Sequence, residues 1–245
     1  MTNQSSRRNR LTSWLNAYEP LTLAMFAALS GGLFLFRWLT DEVLEGDTRS
    51  FDETILLSLR EPGDLSQPIG PAWLTHAVND ITSLGGVTVL TLMTVLVTVY
   101  LLLDRRRPIA IFMLLSVLGG WLLSTVLKLG VARPRPDIVP HLIEVHDLSF
   151  PSGHAMLSAV TYLTLGALLA RAQTFRSTRV FVMAVGVLLT LIIGLSRIYL
   201  GVHYPTDVLG GWCAGATWAL ACWMVARRFI PVTPGEDVSD TTPDR

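Results

Sequence analysis

Six apolar runs without a charged side chain divide this 245-residue sequence, at 21–36, 84–103, 108–127, 155–170, 180–196 and 208–226. Each approaches the roughly 20 residues that a helix needs to cross about 30 Å of hydrocarbon. The shorter runs gain length from flanking Trp, Tyr and Arg side chains, which settle at the membrane border; Trp14 and Tyr18 precede the first run and Arg37 follows it. A backbone in hydrocarbon must satisfy its own hydrogen bonds, so runs of this length become helices. By length alone the chain suits one or two soluble domains. A composition of 51% hydrophobic and 16% charged residues, with a mean hydropathy of +0.48, argues instead for a membrane protein. The sequence therefore predicts an all-α bundle of six transmembrane helices.

The formal net charge is zero, which removes the case for a nucleic-acid partner. What matters is where the arginines fall. Arg7, Arg8 and Arg10 precede the first run, and Arg105, Arg106 and Arg107 join the second to the third. Arg171, Arg176 and Arg179 join the fourth to the fifth, and Arg227 and Arg228 follow the sixth. With six alternating spans all four clusters fall on one side, which the positive-inside rule makes cytoplasmic. The expected location is the cell (inner) membrane, with both termini cytoplasmic and the mostly acidic loop 41–80 outside. The expected divisions are a cytoplasmic segment at 1–20, a membrane domain at 21–230 and a disordered cytoplasmic tail at 231–245. Arg7 and Arg8 also resemble a twin-arginine export signal, but five further spans and the charge pattern explain them better. Cys213 and Cys222 lie in one apolar run and read as small packing residues, with no disulfide expected.

Three polar segments border these runs: Lys128 to Pro136, Pro151 to His154 and Ser196 to Asp207. In the alternating layout all three meet at the outer face. Their cations, two histidines and carboxylate suit a phosphate ester or anhydride, which requires positive charge, a nucleophile and an acid for the leaving group. Lys128 is the chain's only lysine. Pro205 suits the first position of a helix, which places His203 just before it and Asp207 in its first turn. A carboxylate there can fix the imidazole tautomer and leave the other nitrogen as a nucleophile; the plain alternative is a His–Asp pair tying a loop to a helix. Ser152 reads as an N-cap and Gly153 as a point of close backbone approach. The helix start then forms an anion seat bordered by His154, a candidate proton donor; the plain alternative is an ordinary cap. Lys128, Arg135 (held between Pro134 and Pro136) and Arg197 can meet phosphate oxygens. Border anchoring by snorkelling cations is the alternative, but these three lie on the side that the positive-inside rule disfavours. Arg133 is a further candidate, with Arg135 better spaced.

Read jointly, Lys-x6-Arg-Pro, Pro-Ser-Gly-His and Ser-Arg-x5-His-x3-Asp resemble the three signature motifs of the type 2 phosphatidic acid phosphatase (PAP2) family of integral-membrane lipid phosphatases. The match holds at every signature position and extends from the third run to the sixth. The resemblance implies a metal-independent phosphatase without cofactors, its active site at the extracytoplasmic membrane border. It implies that His203 attacks phosphorus to form a phosphohistidine, that Asp207 orients His203, and that His154 protonates the leaving group. Lys128, Arg135, Ser152, Gly153 and Arg197 would bind the phosphoryl oxygens.

The motifs read the phosphate and not the lipid attached to it. The expected partners are membrane lipids and a lipid phosphate substrate: polyprenyl pyrophosphate, phosphatidylglycerophosphate, phosphatidic acid or diacylglycerol pyrophosphate. The alternatives are a phosphotransferase or sugar-phosphate phosphatase on the same scaffold, and a lipid transporter or scramblase that uses the cations for binding alone. His141, Glu144, His146 and Asp147 read as a solvated loop more readily than as metal ligands, and His76 and Asp80 lie near the start of the second run. Residues 51–59 read as a short amphipathic helix on the membrane surface.

Overall fold

The computed structural model describes residues 4–145 and 147–229. The expected tail at 231–245 and the side chain of His146 lie outside the described residues. The elements run α1 (Gln4–Glu45), α2 (Arg49–Ser58), β1 (Arg60–Glu61), β2 (Asp64–Pro68), α3 (Ala72–Ser83), α4 (Val87–Leu103), α5 (Arg107–Val131), α6 (Gly153–Arg171), α7 (Arg176–Tyr199) and α8 (Pro205–Phe229). Five of the helices, α1, α5, α6, α7 and α8, are each long and apolar enough to span a membrane. The pair α3 and α4, bent by 45° at a short break, makes a sixth when the two are taken as one span. The all-α, six-span reading of the sequence thus stands, with one span broken into two.

The loop 41–80 is more structured than its acidic composition suggests. α1 continues to Glu45, and β1 and β2 form a small antiparallel hairpin. The amphipathic stretch expected on the membrane surface is helical, as α2, but it docks on the end of the bundle. Asp52 and Leu56 on its inner face are fully buried. Leu56 packs with Ala155, Ile198, Tyr204 and Val208 of α6, α7 and the start of α8.

α6 is the axis of the bundle. Its first ten residues after Gly153 are mostly buried, whereas α1 lies at the periphery against α8. In hydrocarbon, burying Leu against lipid or against Leu is nearly equivalent, so helices associate through close packing and short contacts. Glycines permit this: an ideal Cβ on Gly211 or Gly215 of α8 would lie 2.7 or 2.5 Å from the carbonyl oxygens of Ser152 and Met156. On the other flank a Cβ on Gly186 of α7 would lie 2.8 Å from the Tyr162 carbonyl oxygen. The neighbouring atoms are backbone and have no side-chain freedom with which to yield.

Gly215→Ala should therefore destabilise the bundle by about 1–3 kcal/mol, as overpacking generally does. Gly31→Ala, where nothing lies within 4 Å of the new Cβ, should be neutral or slightly stabilising. Thermal unfolding midpoints of the two proteins in one detergent check this ordering.

Candidate active site

Four chain ends converge at one end of the bundle. α5 closes with Ala132 in the left-handed region (φ 51°), its N–H bonded to the Lys128 carbonyl at 2.9 Å, which leaves Lys128 in the last helical turn. α6 opens with Ser152, whose hydroxyl accepts from the Ala155 N–H at 3.5 Å. The first N–H groups of such a helix have no partner within it and carry its positive dipole end. Lys128 lies over that terminus, and a Cβ on Gly153 would meet Lys128 Cε at 3.6 Å, an ordinary contact, so the close approach expected of this glycine does not itself exclude a side chain. α7 ends just beyond Arg197, and α8 begins at Pro205, as its missing N–H favours. Gly201, at φ 75°, turns the chain between them, and a Cβ there would meet the Arg60 guanidinium at 2.4 Å.

These ends enclose a pocket of about 320 Å³, lined among others by Lys128, Arg135, Gly153, His154, Arg197 and His203. Ser152 and Asp207 lie directly behind it, both fully buried. The Ser152 N–H donates to the Asp207 carbonyl at 2.9 Å, which ties the second motif to the third. All eight residues singled out in the sequence thus come together at one site.

His203 is 1% exposed. Its Nδ1 lies 3.3 Å from Ser149 Oγ and 3.5 Å from Asp207 Oδ2, and the Ser149 hydroxyl donates to the same carboxylate oxygen at 2.5 Å. Asp207 therefore reaches the imidazole mainly through Ser149. On the other side Arg135 Nη1 donates towards Nε2 at 3.2 Å. A donor at Nε2 and an acceptor at Nδ1 assign the ring proton to Nδ1 and leave the Nε2 lone pair facing the pocket. Burial, and then the neighbouring Arg135, Arg197 and Lys128 cations, hold the His203 pKa well below its usual value, so the ring is neutral at neutral pH.

Arg133 does not face the pocket. It sits behind Asp207, with Nη1 donating to Asp207 Oδ1 at 2.7 Å and to Thr206 Oγ1 at 2.8 Å, and Nη2 donating to Asp52 Oδ2 at 2.8 Å. Asp52 also accepts from the Thr206 N–H (3.0 Å) and hydroxyl (2.6 Å), and so caps α8 from a distant part of the chain. The Tyr204 ring packs on the guanidinium, 4.2 Å from its centroid. Two fully buried carboxylates share one guanidinium, and the N-terminal dipole of α8 offsets the remaining negative charge. Burial alone would lower the Arg133 pKa, but Asp207 and Asp52 outweigh it and keep the group charged.

The sequence reading did not single out Asp52, Ser149, Thr206 or Thr82. Thr82 Oγ1, on α3, accepts from Arg197 Nη1 at 3.0 Å; the Arg197 Nε has no partner although the residue is 2% exposed. A buried guanidinium with an unused donor beside a pocket suits an anion. Gly85 and Gly86, in the break between α3 and α4, lie beside His154, with their ideal Cβ positions 3.4 Å from Cδ2 and 4.0 Å from Nε2. Asp147 is not merely part of a solvated loop: it pairs with Lys128 Nζ at 2.5 Å and with Arg135 Nη2. His141 turns to the Pro136 carbonyl, 2.7 Å away. Among the described residues no group of three or more His, Cys, Asp or Glu side chains is placed to hold a metal ion.

The PAP2 superfamily model matches residues 109–231, which contain every motif residue of this site. The chain belongs to the PAP2 superfamily. It is 31% identical to the phosphatidylglycerophosphatase B of Bacillus subtilis over 202 residues, covering 81% of this chain and 90% of that protein. The crystal structure of a transmembrane PAP2-type phosphatidylglycerolphosphate phosphatase from Bacillus subtilis superposes with a TM-score of 0.75 at 28% identity, covering 82% and 97% of the two chains. An undecaprenyl-diphosphatase of Sulfolobus acidocaldarius is 31% identical over 121 residues, 47% of this chain and 54% of that protein.

Replacing Arg133 by Ala should cost about 3–5 kcal/mol, because it leaves two buried carboxylates without their shared cation. Adding Asp52→Asn should recover part of the loss by removing one of those charges. Thermal unfolding of the single and double variants in detergent checks the rescue, and a double variant less stable than Arg133→Ala would contradict it.

Proposed function

We propose that this protein is a membrane lipid phosphatase that releases a terminal phosphate from a lipid phosphate at the extracytoplasmic leaflet. One observation carries the lipid reading. The polar pocket shares Val87, Trp121 and Leu157 with an apolar cavity of about 310 Å³, lined also by Leu90, Thr91, Val117, Leu118 and Thr161. The polar pocket thus adjoins, between α4, α5 and α6, a cleft lined by apolar side chains. That arrangement fits a substrate with a charged head and a hydrocarbon tail. A larger apolar groove of about 800 Å³ between α5 and α8, rimmed by Arg107, lies at the opposite end and contains none of this chemistry.

Orientation follows from charge. Arg105, Arg106, Arg107, Arg171, Arg176, Arg179 and Arg227 all belong to the end opposite the pocket, which supports a cytoplasmic assignment for that end. The names of the relatives support a phosphatidylglycerophosphate or a prenyl diphosphate as substrate, with phosphatidic acid and diacylglycerol pyrophosphate chemically equivalent at the phosphate.

In the proposed reaction Lys128, Arg135, Arg197 and the N-terminus of α6 at Ser152 and Gly153 hold three phosphoryl oxygens. His203 Nε2 attacks phosphorus as the bond to the leaving oxygen breaks, and His154 gives that oxygen its proton. The imidazolium formed is stabilised through Ser149 by Asp207, whose own position Arg133 maintains. Water then attacks the phosphohistidine, passes a proton to His154 and frees phosphate and His203. The cations contribute most where charge develops on the equatorial oxygens, in a pocket with little water to screen them.

His203→Ala in detergent should lose at least about a thousandfold of the rate of phosphate release from a panel of lipid phosphates, as expected for a missing nucleophile. Turnover near wild type would end the assignment. The depressed His203 pKa sets the sign of the pH response. The nucleophile is unprotonated above that value, so the acid limb of kcat/KM should lie below the usual imidazole range, after correction for the substrate's own phosphate ionisation at about pH 6. A limb at the usual imidazole pKa, about 6.5, would contradict it.

A further inference from the structure

The cations at the mouth of the pocket already hold an anion that belongs to the chain. Asp147 Oδ2 accepts from Lys128 Nζ at 2.5 Å and its Oδ1 pairs with Arg135 Nη2, while the Asp147 side chain is 61% exposed and those of Lys128 and Arg135 are 13% and 10% exposed. A carboxylate spanning two cations presents two oxygens much as a phosphoryl group does. Burial works against its charge, but the bonds and fields of Lys128 and Arg135 prevail and hold its carboxyl far below the usual range.

Positioning those cations does not require the carboxylate. Lys128 Nζ also donates to the Leu148 carbonyl at 2.5 Å, and Arg135 donates to the carbonyls of Asp147 (2.7 Å, from Nε) and Val202 (2.5 Å, from Nη1). Main-chain oxygens would hold both side chains if the carboxylate left. The carboxylate is largely exposed where it lines the pocket, and its residue lies in the loop between α5 and α6 and not in a helix.

We propose that Asp147 is an intramolecular competitor for the phosphoryl subsite: its carboxylate pairs with Lys128 and Arg135 in the free enzyme, yields them to the substrate phosphate, and returns as phosphate departs. This rests on the phosphatase reading of the same site. A group that must be displaced reduces the apparent affinity of every phosphate ligand by the ratio of occupied to vacant subsites. The competitor therefore limits retention of the product, which presents the same phosphoryl oxygens as the substrate.

The test is binding of inorganic phosphate and orthovanadate to full-length protein in detergent, by calorimetry and by inhibition constants, for wild type, Asp147→Asn and Asp147→Glu. Asp147→Asn should bind both anions about tenfold more tightly, a difference of about 1.4 kcal/mol, with a lowered KM. Asp147→Glu, which keeps the charge, should stay near wild type. Unchanged or weaker binding by Asp147→Asn would overturn the proposal and leave Asp147 a support for Lys128 and Arg135. Equal tightening in both variants would overturn it too, since charge would then not be the cause. Failure of the underlying site reading has a different signature: phosphate binding to wild type that Lys128→Ala does not weaken.

Discussion

The site depends on one buried guanidinium placed between two carboxylates. Arg133 gives Asp207 a fixed position, and the same fork holds Asp52, which in turn closes the first turn of α8. Without that arrangement the first turn of α8 would present an unpaired N–H in a region that water reaches poorly, and Asp207 would be a buried charge with only a hydroxyl and one N–H to stabilise it. The interaction thus joins α2, the end of α5 and the start of α8 into one unit. His203, on the short turn before α8, inherits its position from that unit.

A second consequence is a division of labour among positive charges. Arg133 is committed to structure, with every contact made to carboxylates, a hydroxyl and an aromatic ring. Arg135, two residues later, faces the opposite way into the pocket, and the left-handed residue Ala132 together with Pro134 and Pro136 sets that alternation. Arg197 is left with an unused donor and Lys128 with a compact charge over a helix terminus. A cluster of this kind repels itself when empty. Asp147 relieves part of that repulsion, and a phosphate would relieve more of it.

Much of this was legible in the sequence, for identifiable physical reasons. Spans announce themselves because hydrocarbon excludes charge, and the eight motif residues lie at or near helix ends whose signals are local: Pro205 at a first position and Ser152 as a cap. What stayed hidden depends on contacts across long separations. Asp52 looked like one acid among several in an acidic loop, although it meets Thr206 at a separation of 154 residues. Ser149 sits beside the second motif, yet nothing local says that its hydroxyl bridges His203 and Asp207. The break in the second span also had a signal, Gly85-Gly86 after a run containing His76 and Asp80. The apolar run 84–103 begins at that break, so hydropathy alone does not show that α3 and α4 belong together.

The long reach of Asp52 has a consequence for how the protein is made. A chain emerging in order presents Asp52 early, adds Arg133 and Ser149 midway, and gains His203, Thr206 and Asp207 only as α8 appears. α6, the axis, likewise lacks its close glycine-lined neighbours until α7 and α8 are in the membrane. A chain that ends between residues 155 and 202 therefore contains Lys128, Arg135 and the Pro-Ser-Gly-His turn without His203 or Asp207. The pocket is closed only when the last helix has docked, so that completion of the bundle and the seating of His203 on Ser149 and Asp207 are a single event in the life of the chain.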